Sequence, residues 1–329
     1  MAYQPLKLAV TLETVTPLFL GGALPREAPE LRPPSFRGVM RYWLRAALGG
    51  ILGDRNLEDL HEAESAVFGK TGRASPVEVR LANQQLSYQA YDPLPHKETN
   101  VRFTGYTPRQ SFHLTLSGLR ADAISWRCAI GALLLSVGLG GLGRRSRRGF
   151  GTLRVRDGDV SQAQLPRVWE QLLQETPGSA SDWESYLGNV LETASAAAKE
   201  LVESLGAPIA APSLPSRFPL LGADNEIMIC HRKFPDGRAA LETCGRLEHG
   251  FLQQHPDARV AFGSANPRWA SPLWIRVLPV GGGVILGLTV LWSQPPSGVR
   301  AERGDLRKFV DLCADEWNGH RLIRQGVRQ

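Results

Sequence analysis

Cysteine is scarce in this chain: 329 residues hold four (Cys128, Cys230, Cys244 and Cys313), and no two form a C-x-x-C pair. That excludes a disulfide scaffold and a four-thiolate zinc site, and it fits free thiols in a reducing compartment. Long apolar runs are missing as well. The richest, Ile130 to Leu142, is too short and too glycine-rich to span a bilayer. Met1 to Thr16 alternates apolar and polar residues and lacks a signal-peptide core. The expectation is a cytoplasmic protein with no membrane partner. Acidic residues are absent from two stretches, Leu31–Gly53 and Gly138–Gly151. With a formal net charge of only +6, distribution rather than total decides whether the chain meets a polyanion.

Nucleotide and catalytic signatures are also wanting. Gly138-Leu-Gly-Gly-Leu-Gly143 matches G-x-G-x-x-G, but a helical pattern precedes it and a strand pattern follows, the reverse of a dinucleotide site. Gly69-Lys70-Thr71 resembles the end of a phosphate-binding loop, yet Glu64 stands where that fingerprint needs glycine. Cys230-His231 with Cys244 and His249 has no zinc-ligand spacing and reads as buried thiols, so no metal or cofactor is assigned. His96 and His113 are isolated. Asp92 and Glu98, in a proline-containing segment, support only an alternative reading as a metal-dependent endoribonuclease. No catalytic residue is assigned.

The pattern of elements is mixed. Leu6–Val15 alternates at period two, as a strand does. Pro33-Pro34-Ser35 opens a helix, with Ser35 as its cap, that runs from Phe36 to Leu48 and stops at Gly49-Gly50. A second helix covers Leu57–Phe68. Strands follow at Val77–Leu81 and Phe112–Leu116, with a loop or hairpin over Gln84–Gln110 between them. Ala121–Val137 is a largely apolar helix, and Gly151–Arg156 resumes as a strand. Asp159–Leu205 reads as helical, and the proline-rich stretch Gly206–Pro219 marks a boundary. Residues 67–81 and 261–277 echo one another: each holds F-G, a basic turn, A-S-P and a strand with arginine at the same offset. The repeat implies two copies of one unit. The expected fold class is α+β, with two ferredoxin-like domains at 1–158 and 206–329 and a helical linker subdomain at 159–205.

Two groups of basic residues remain. Between Gly138 and Gly151, six glycines and four arginines share fourteen residues. Glycine lets other backbone approach closely, and arginine offers a planar fork of donors to phosphate oxygens. Arg37, Arg41 and Arg45 stand at i, i+4 and i+8 along one helical stripe, where like charges repel unless an anion lies across them. Acids such as Glu58, Asp59 or Glu62 could pair with them instead. Tyr42 and Trp43 flank the stripe; Trp43 either packs in the core or stacks on a base. The candidate nucleic-acid-binding residues are therefore Ser35, Arg37, Arg41, Trp43, Arg45, Lys70, Gly138, Gly140, Gly141, Gly143, Arg144, Arg145, Arg147, Arg148 and Gly149. A further possibility is an assembly cap whose basic loop binds an acidic neighbouring subunit.

The strand ending T-P-L-F-L-G-G, then R-P-P-S-F-R-G-V-M-R-Y-W-L-R, then A-V-F-G with A-S-P-V, and finally R-R-G-F-G resemble the RAMP superfamily of CRISPR proteins. The resemblance is nearest to the first-subunit branch of type III-B (Cmr) effector complexes. It implies two RRM-like RAMP domains and a non-catalytic, RNA-binding role in antiviral defence. The implied partners are a CRISPR guide RNA, near its 3′ end, target RNA and other Cmr subunits.

Overall fold

The computed structural model describes residues 6–22, 28–82, 85–222 and 225–322. The outermost ends of the first and last expected domains, and Gln84, lie outside these described residues. Strand β1 (Leu6–Thr14) is followed by helices α1 (Pro33–Leu52) and α2 (Leu57–Phe68) and strand β2 (Val77–Leu81). A hairpin of β3 (Tyr88–Tyr91) and β4 (Phe103–Tyr106) fills the expected excursion. Then come β5 (Ser111–Gly118), α3 (Ala123–Gly138) and β6 (Leu153–Asp159). These form an antiparallel sheet in the order β2-β5-β1-β6. Alternation sets its faces: Leu8, Val10 and Leu12 of β1 lie opposite Leu116, Leu114 and Phe112 of β5, all buried.

Helices α4 (Arg167–Gln174) and α5 (Ala180–Ser204) come next, and α5 packs on α1 and α3. Helix α3 is buried on nearly every side because α1, α5 and the sheet surround it. The second half holds β7 (Glu226–Cys230), α6 (Gly237–Gln254), a 3₁₀ turn, the short pair β8 (Ser264–Ala265) and β9 (Arg268–Trp269), β10 (Leu273–Val280), β11 (Gly283–Val290), α7 (Arg303–Trp317) and β12 (Gly319–Arg321). Its main sheet runs β10-β11-β7-β12, also antiparallel. Both sheets place their second, third, first and fourth strands side by side in that order. The sequence echo falls on corresponding strands, β2 and β10. The fold is α+β.

Strand β10 is buried on both faces, and its alternate residues serve different cores. Leu273, Ile275 and Val277 join the core of the second unit, whereas Trp274 and Leu278 join that of the first. Arg276 shares the Trp274 face and is 2% exposed. Its guanidinium donates to the carbonyls of Val137, at the end of α3, and Leu153, at the start of β6 (2.8 Å). Its counterpart in the echo, Arg80, lies in the open beside Glu78. The same offset in sequence therefore carries a buried fastener in one copy and a solvated ion pair in the other.

Two local expectations are corrected. Helix α1 does not stop at Gly49-Gly50 but continues to Leu52, with Gly53 (φ 74°) beyond it. A side chain at Gly50 would strike the carbonyl of Leu221 at 1.8 Å; glycine there admits a neighbouring strand of chain and does not end the helix. Ser35 is not the cap either: Arg32 holds that position without a side-chain hydrogen bond, and Pro33 begins the first turn.

Replacing Arg276 with methionine keeps the volume but leaves two buried carbonyls without their donor. We expect the folded state to lose about 1–3 kcal/mol, read as a lowered thermal midpoint of the full chain, whereas Arg80→Met changes it by less than about 0.5 kcal/mol.

Candidate nucleic-acid interface

The α1 stripe is largely occupied. Arg41 Nε lies 2.8 Å from Glu64 Oε1, and Arg45 Nη1 lies 3.3 Å from Glu64 Oε2. Glu64, on α2, is 7% exposed at its side chain. None of Glu58, Asp59 or Glu62 supplies this contact; α2 turns Glu64 toward α1. Arg41 also donates to the Gly69 carbonyl at the end of α2, so this arginine fastens two helices. Arg45 remains half-exposed, and the Arg37 Nε has no hydrogen-bond partner among the described residues. Lys70 pairs with Glu62 at 2.6 Å, a carboxylate it shares with Arg73.

Trp43 is corrected outright. It is fully buried against Tyr42 and Trp274, with ring centroids 5.6 and 5.5 Å away, and no base can reach it. The same holds for the first glycines of the loop. Gly138, Gly140 and Gly141 are buried; a side chain at Gly140 would meet Trp43 Nε1 at 2.3 Å, and one at Gly138 would meet Leu187 at 2.8 Å. These glycines make room for core packing rather than for phosphate. Gly149 (φ 79°) is also buried, under Leu241, although its carbonyl accepts from Thr16 at 2.7 Å. Gly143 (φ 83°) is exposed and lets the chain turn where a Cβ would hit the Phe19 carbonyl.

The four arginines of the loop divide into two pairs. Arg147 and Arg148 are spent on the second unit. The backbone of Arg148 forms a parallel bridge with Ile275 of β10, and the Arg147 carbonyl accepts from Ile275 N at 3.2 Å. The Arg147 guanidinium donates to Ser271 O and lies 4.5 Å from the Trp274 ring centre and 5.6 Å from that of Tyr42. Arg148 pairs with Glu248 at 3.2 Å. The α1 stripe and the loop do meet, at Tyr42 and Arg147, but there the arginine points into the protein.

Arg144 and Arg145 are free for other use. Arg144 is exposed, its guanidinium 5.8 Å from the Phe103 ring centre. Arg145 rests on Phe150 at 6.0 Å, its Nε has no hydrogen-bond partner, and no carboxylate among the described residues lies within ion-pair distance. Burial, reinforced by the charge of Arg148, lowers the pKa of Arg145. An anion placed beside it would relieve both effects.

A feature that the sequence reading missed lies between the two units. A cleft of about 1000 Å³ is lined from the first unit by Arg102, Arg109, Arg154 and Arg156, and from the second by Arg238 at the start of α6. Three carboxylates, Glu13, Asp92 and Asp236, share the wall. Glu13 is held by Arg154 (2.8 Å) and Arg156 (3.5 Å), and Asp236 caps α6 by accepting from Ala239 N. Arg109 and Arg238 carry no ion pair among the described residues. Phe150 also lines the cleft, so Arg145 adjoins it. The cleft was invisible because its arginines are spread from residue 102 to residue 238 with no motif among them. Asp92 accepts from Leu94 N and stands 3.9 Å from Arg102. Neither Asp92 nor Glu98 belongs, among the described residues, to a group of three side chains able to share a cation. No helix among these residues is long and apolar enough to cross a membrane.

Residues 11–154 match the RAMP superfamily model. A CRISPR system Cmr subunit Cmr1-2 of Pyrococcus furiosus is 32% identical over 176 residues, 44% of this chain and 92% of that relative. This chain belongs to the Cmr1 family of RAMP proteins. The Cmr1-1 subunit of the same organism is 27% identical over 82% of this chain and 83% of its own length. The crystal structure of P. furiosus Cmr1 superposes with a TM-score of 0.69 at 22% identity, covering 96% of this chain and 98% of the other. A chain of the type III-B Cmr-beta complex, solved bound to cognate target RNA, gives 0.67 at 11% identity over 95% and 99%. The Cmr1 fold thus extends across both units and the helices between them, well beyond the segment matched by the family model.

The division of the loop has a measurable consequence. Arg147→Ala removes the stacking on Trp274 and a carbonyl partner, and should cost about 1–3 kcal/mol of stability. Arg144→Ala should stay within about 0.5 kcal/mol; denaturant midpoints of the two variants compare them directly.

Proposed function

We propose that this Cmr1-family chain is a non-catalytic, RNA-binding subunit of a type III-B Cmr effector complex in antiviral defence. In this reading the arginine-lined cleft holds a ribose–phosphate backbone of guide or target RNA. The observation that carries the reading is the gathering of five arginines from both units around a cleft with only three carboxylates, all of them already engaged, which leaves Arg109 and Arg238 without an ion pair among the described residues. Cmr1 homologues and the RNA-bound Cmr-beta chain support membership of such a complex. Arginine forks read phosphate and sugar rather than base edges, so the protein recognises backbone and leaves sequence to guide–target pairing. Gly143, Arg144 and Arg145 extend this surface next to the cleft. Arg37, Arg45, Lys70 and the helix start at Ser35 are secondary contacts, and the placement near the guide 3′ end belongs to the same proposal. We also read each sheet as a ferredoxin-like domain, at 1–158 and 206–329, with 159–205 as the helical subdomain between them.

Arg109→Asn and Arg238→Ala test the reading without breaking a buried pair; asparagine is chosen because Arg109 has a positive φ of 65°. Each should weaken binding of labelled single-stranded RNA by the full chain roughly 10-fold, equally for unrelated sequences, and flatten the dependence of log affinity on log salt by about one unit. Unchanged affinity and slope in both variants would remove the cleft from RNA binding.

A further inference from the structure

Outside the residues that line the cleft, three side chains with metal-binding atoms converge from three separate elements. Glu184 lies on α5, His231 directly follows β7, and His320 is the middle residue of β12. His231 Nε2 is 2.6 Å from Glu184 Oε1, and His320 Nδ1 is 3.3 Å from the same oxygen. The three ligand atoms lie within 4.8 Å of one another. The two imidazoles face each other with ring centres 4.0 Å apart.

The backbone fixes this arrangement. Asn318 adopts the left-handed conformation that ends α7, which turns the chain directly into β12. Strand β12 pairs with β7, setting His320 opposite Ile229 and Gly319 opposite Cys230. His231 N donates to the carbonyls of Trp317 and Asn318 at 3.1 Å. On α5, Trp183 donates its Nε1 to the Pro279 carbonyl at 2.7 Å, which holds the neighbouring Glu184 against the second unit. Glu184 and His231 are both about three-quarters covered, and His320 is exposed on one side.

We propose that Glu184, His231 and His320 form a binding site for a divalent transition-metal ion, with Zn²⁺ the best match. Two imidazole nitrogens and one carboxylate oxygen suit zinc better than magnesium or calcium, which take oxygen-rich sets. Ligands held at about 2.0–2.2 Å in a tetrahedron stand about 3.3–3.6 Å apart. The Glu184–His320 separation of 3.3 Å already meets the lower end of that spacing, and His231, at 2.6 Å, needs to retreat by about an ångström or less. Three protein ligands leave a fourth position for water on the open side of His320. The ion acts as a clasp, tying helix α5 to the first and last strands of the second unit. Neither buried thiols nor sequence spacing enters the set: Cys230 adjoins His231 along the chain but does not belong to the converging group.

The test uses the full chain, freed of metal with a chelator and then titrated with Zn²⁺ against a competing dye, and separately with Co²⁺ followed by visible absorbance. The wild type should bind one Zn²⁺ per chain and give the ligand-field bands of low-coordinate Co²⁺. Glu184→Gln, His231→Ala and His320→Ala should each weaken Zn²⁺ binding by ~100-fold or more, whereas His249→Ala should not change it. Zn²⁺ should also raise the thermal midpoint of the wild type and leave that of His320→Ala unmoved; the exposure of His320 makes this variant safe for folding. The proposal fails if the wild type takes up no Zn²⁺, if the three ligand variants bind as the wild type does, or if His249→Ala loses binding equally.

Discussion

The parallel bridge between Arg148 and Ile275 joins the loop after α3 to the edge strand of the second sheet, and the rest of the molecule is arranged around that seam. On one side Arg147 fills the space between Tyr42 and Trp274; on the other Arg276 reaches back to the carbonyls of Val137 and Leu153. Each unit therefore supplies guanidinium groups to carbonyl oxygens or rings of its partner. Buried carbonyls at the end of α3 need a donor, and a long side chain from β10 brings one without opening the interface to water. Because β10 is apolar on both faces, separating the units would expose Trp274 and Leu278 along with these polar groups.

The two sheets meet this seam differently. Two sheets of identical strand order lie in one chain, yet the echoed arginines, Arg80 and Arg276, have opposite fates. The outer copy retains a solvated edge, while the inner copy has become the contact. The glycines of the loop follow the same division: Gly138 and Gly140 let α3 and the following turn lie against Leu187 and Trp43, and Gly143 reverses the chain beneath Phe19. Close packing and a surface turn thus occupy one stretch of fourteen residues.

Much of this was legible in the sequence. Period-two alternation located β1, the largely apolar run located α3, and the F-G…A-S-P echo fell on corresponding strands of the two sheets. The density of arginine singled out residues 144–148 but could not say which way each side chain turns. Arg144 and Arg147 are indistinguishable by composition; only the arrival of Trp274 and Ser271 from more than a hundred residues away separates them. Glu64 was missed as the partner of Arg41 and Arg45 because the angle between α1 and α2, not spacing along either helix, brings it there. The helix break assigned at Gly49-Gly50 failed for a related reason: glycine signals a terminus and a close approach alike.

The cleft inherits its geometry from the seam. Its arginines come from β6, from the segments flanking β4, and from the first turn of α6, so no single element can form it. Arg154 and Arg156 leave β6 only a few residues beyond the bridge at Arg148, and Arg238 starts the helix that covers Gly149. The distance across the cleft is consequently governed by the same contacts that hold the units together. Any polyanion held between its walls would have to match that width. Arginines buried at the seam thus act on the open ones at a distance: by fixing the angle between the sheets, they fix the spacing of the guanidinium groups across the cleft.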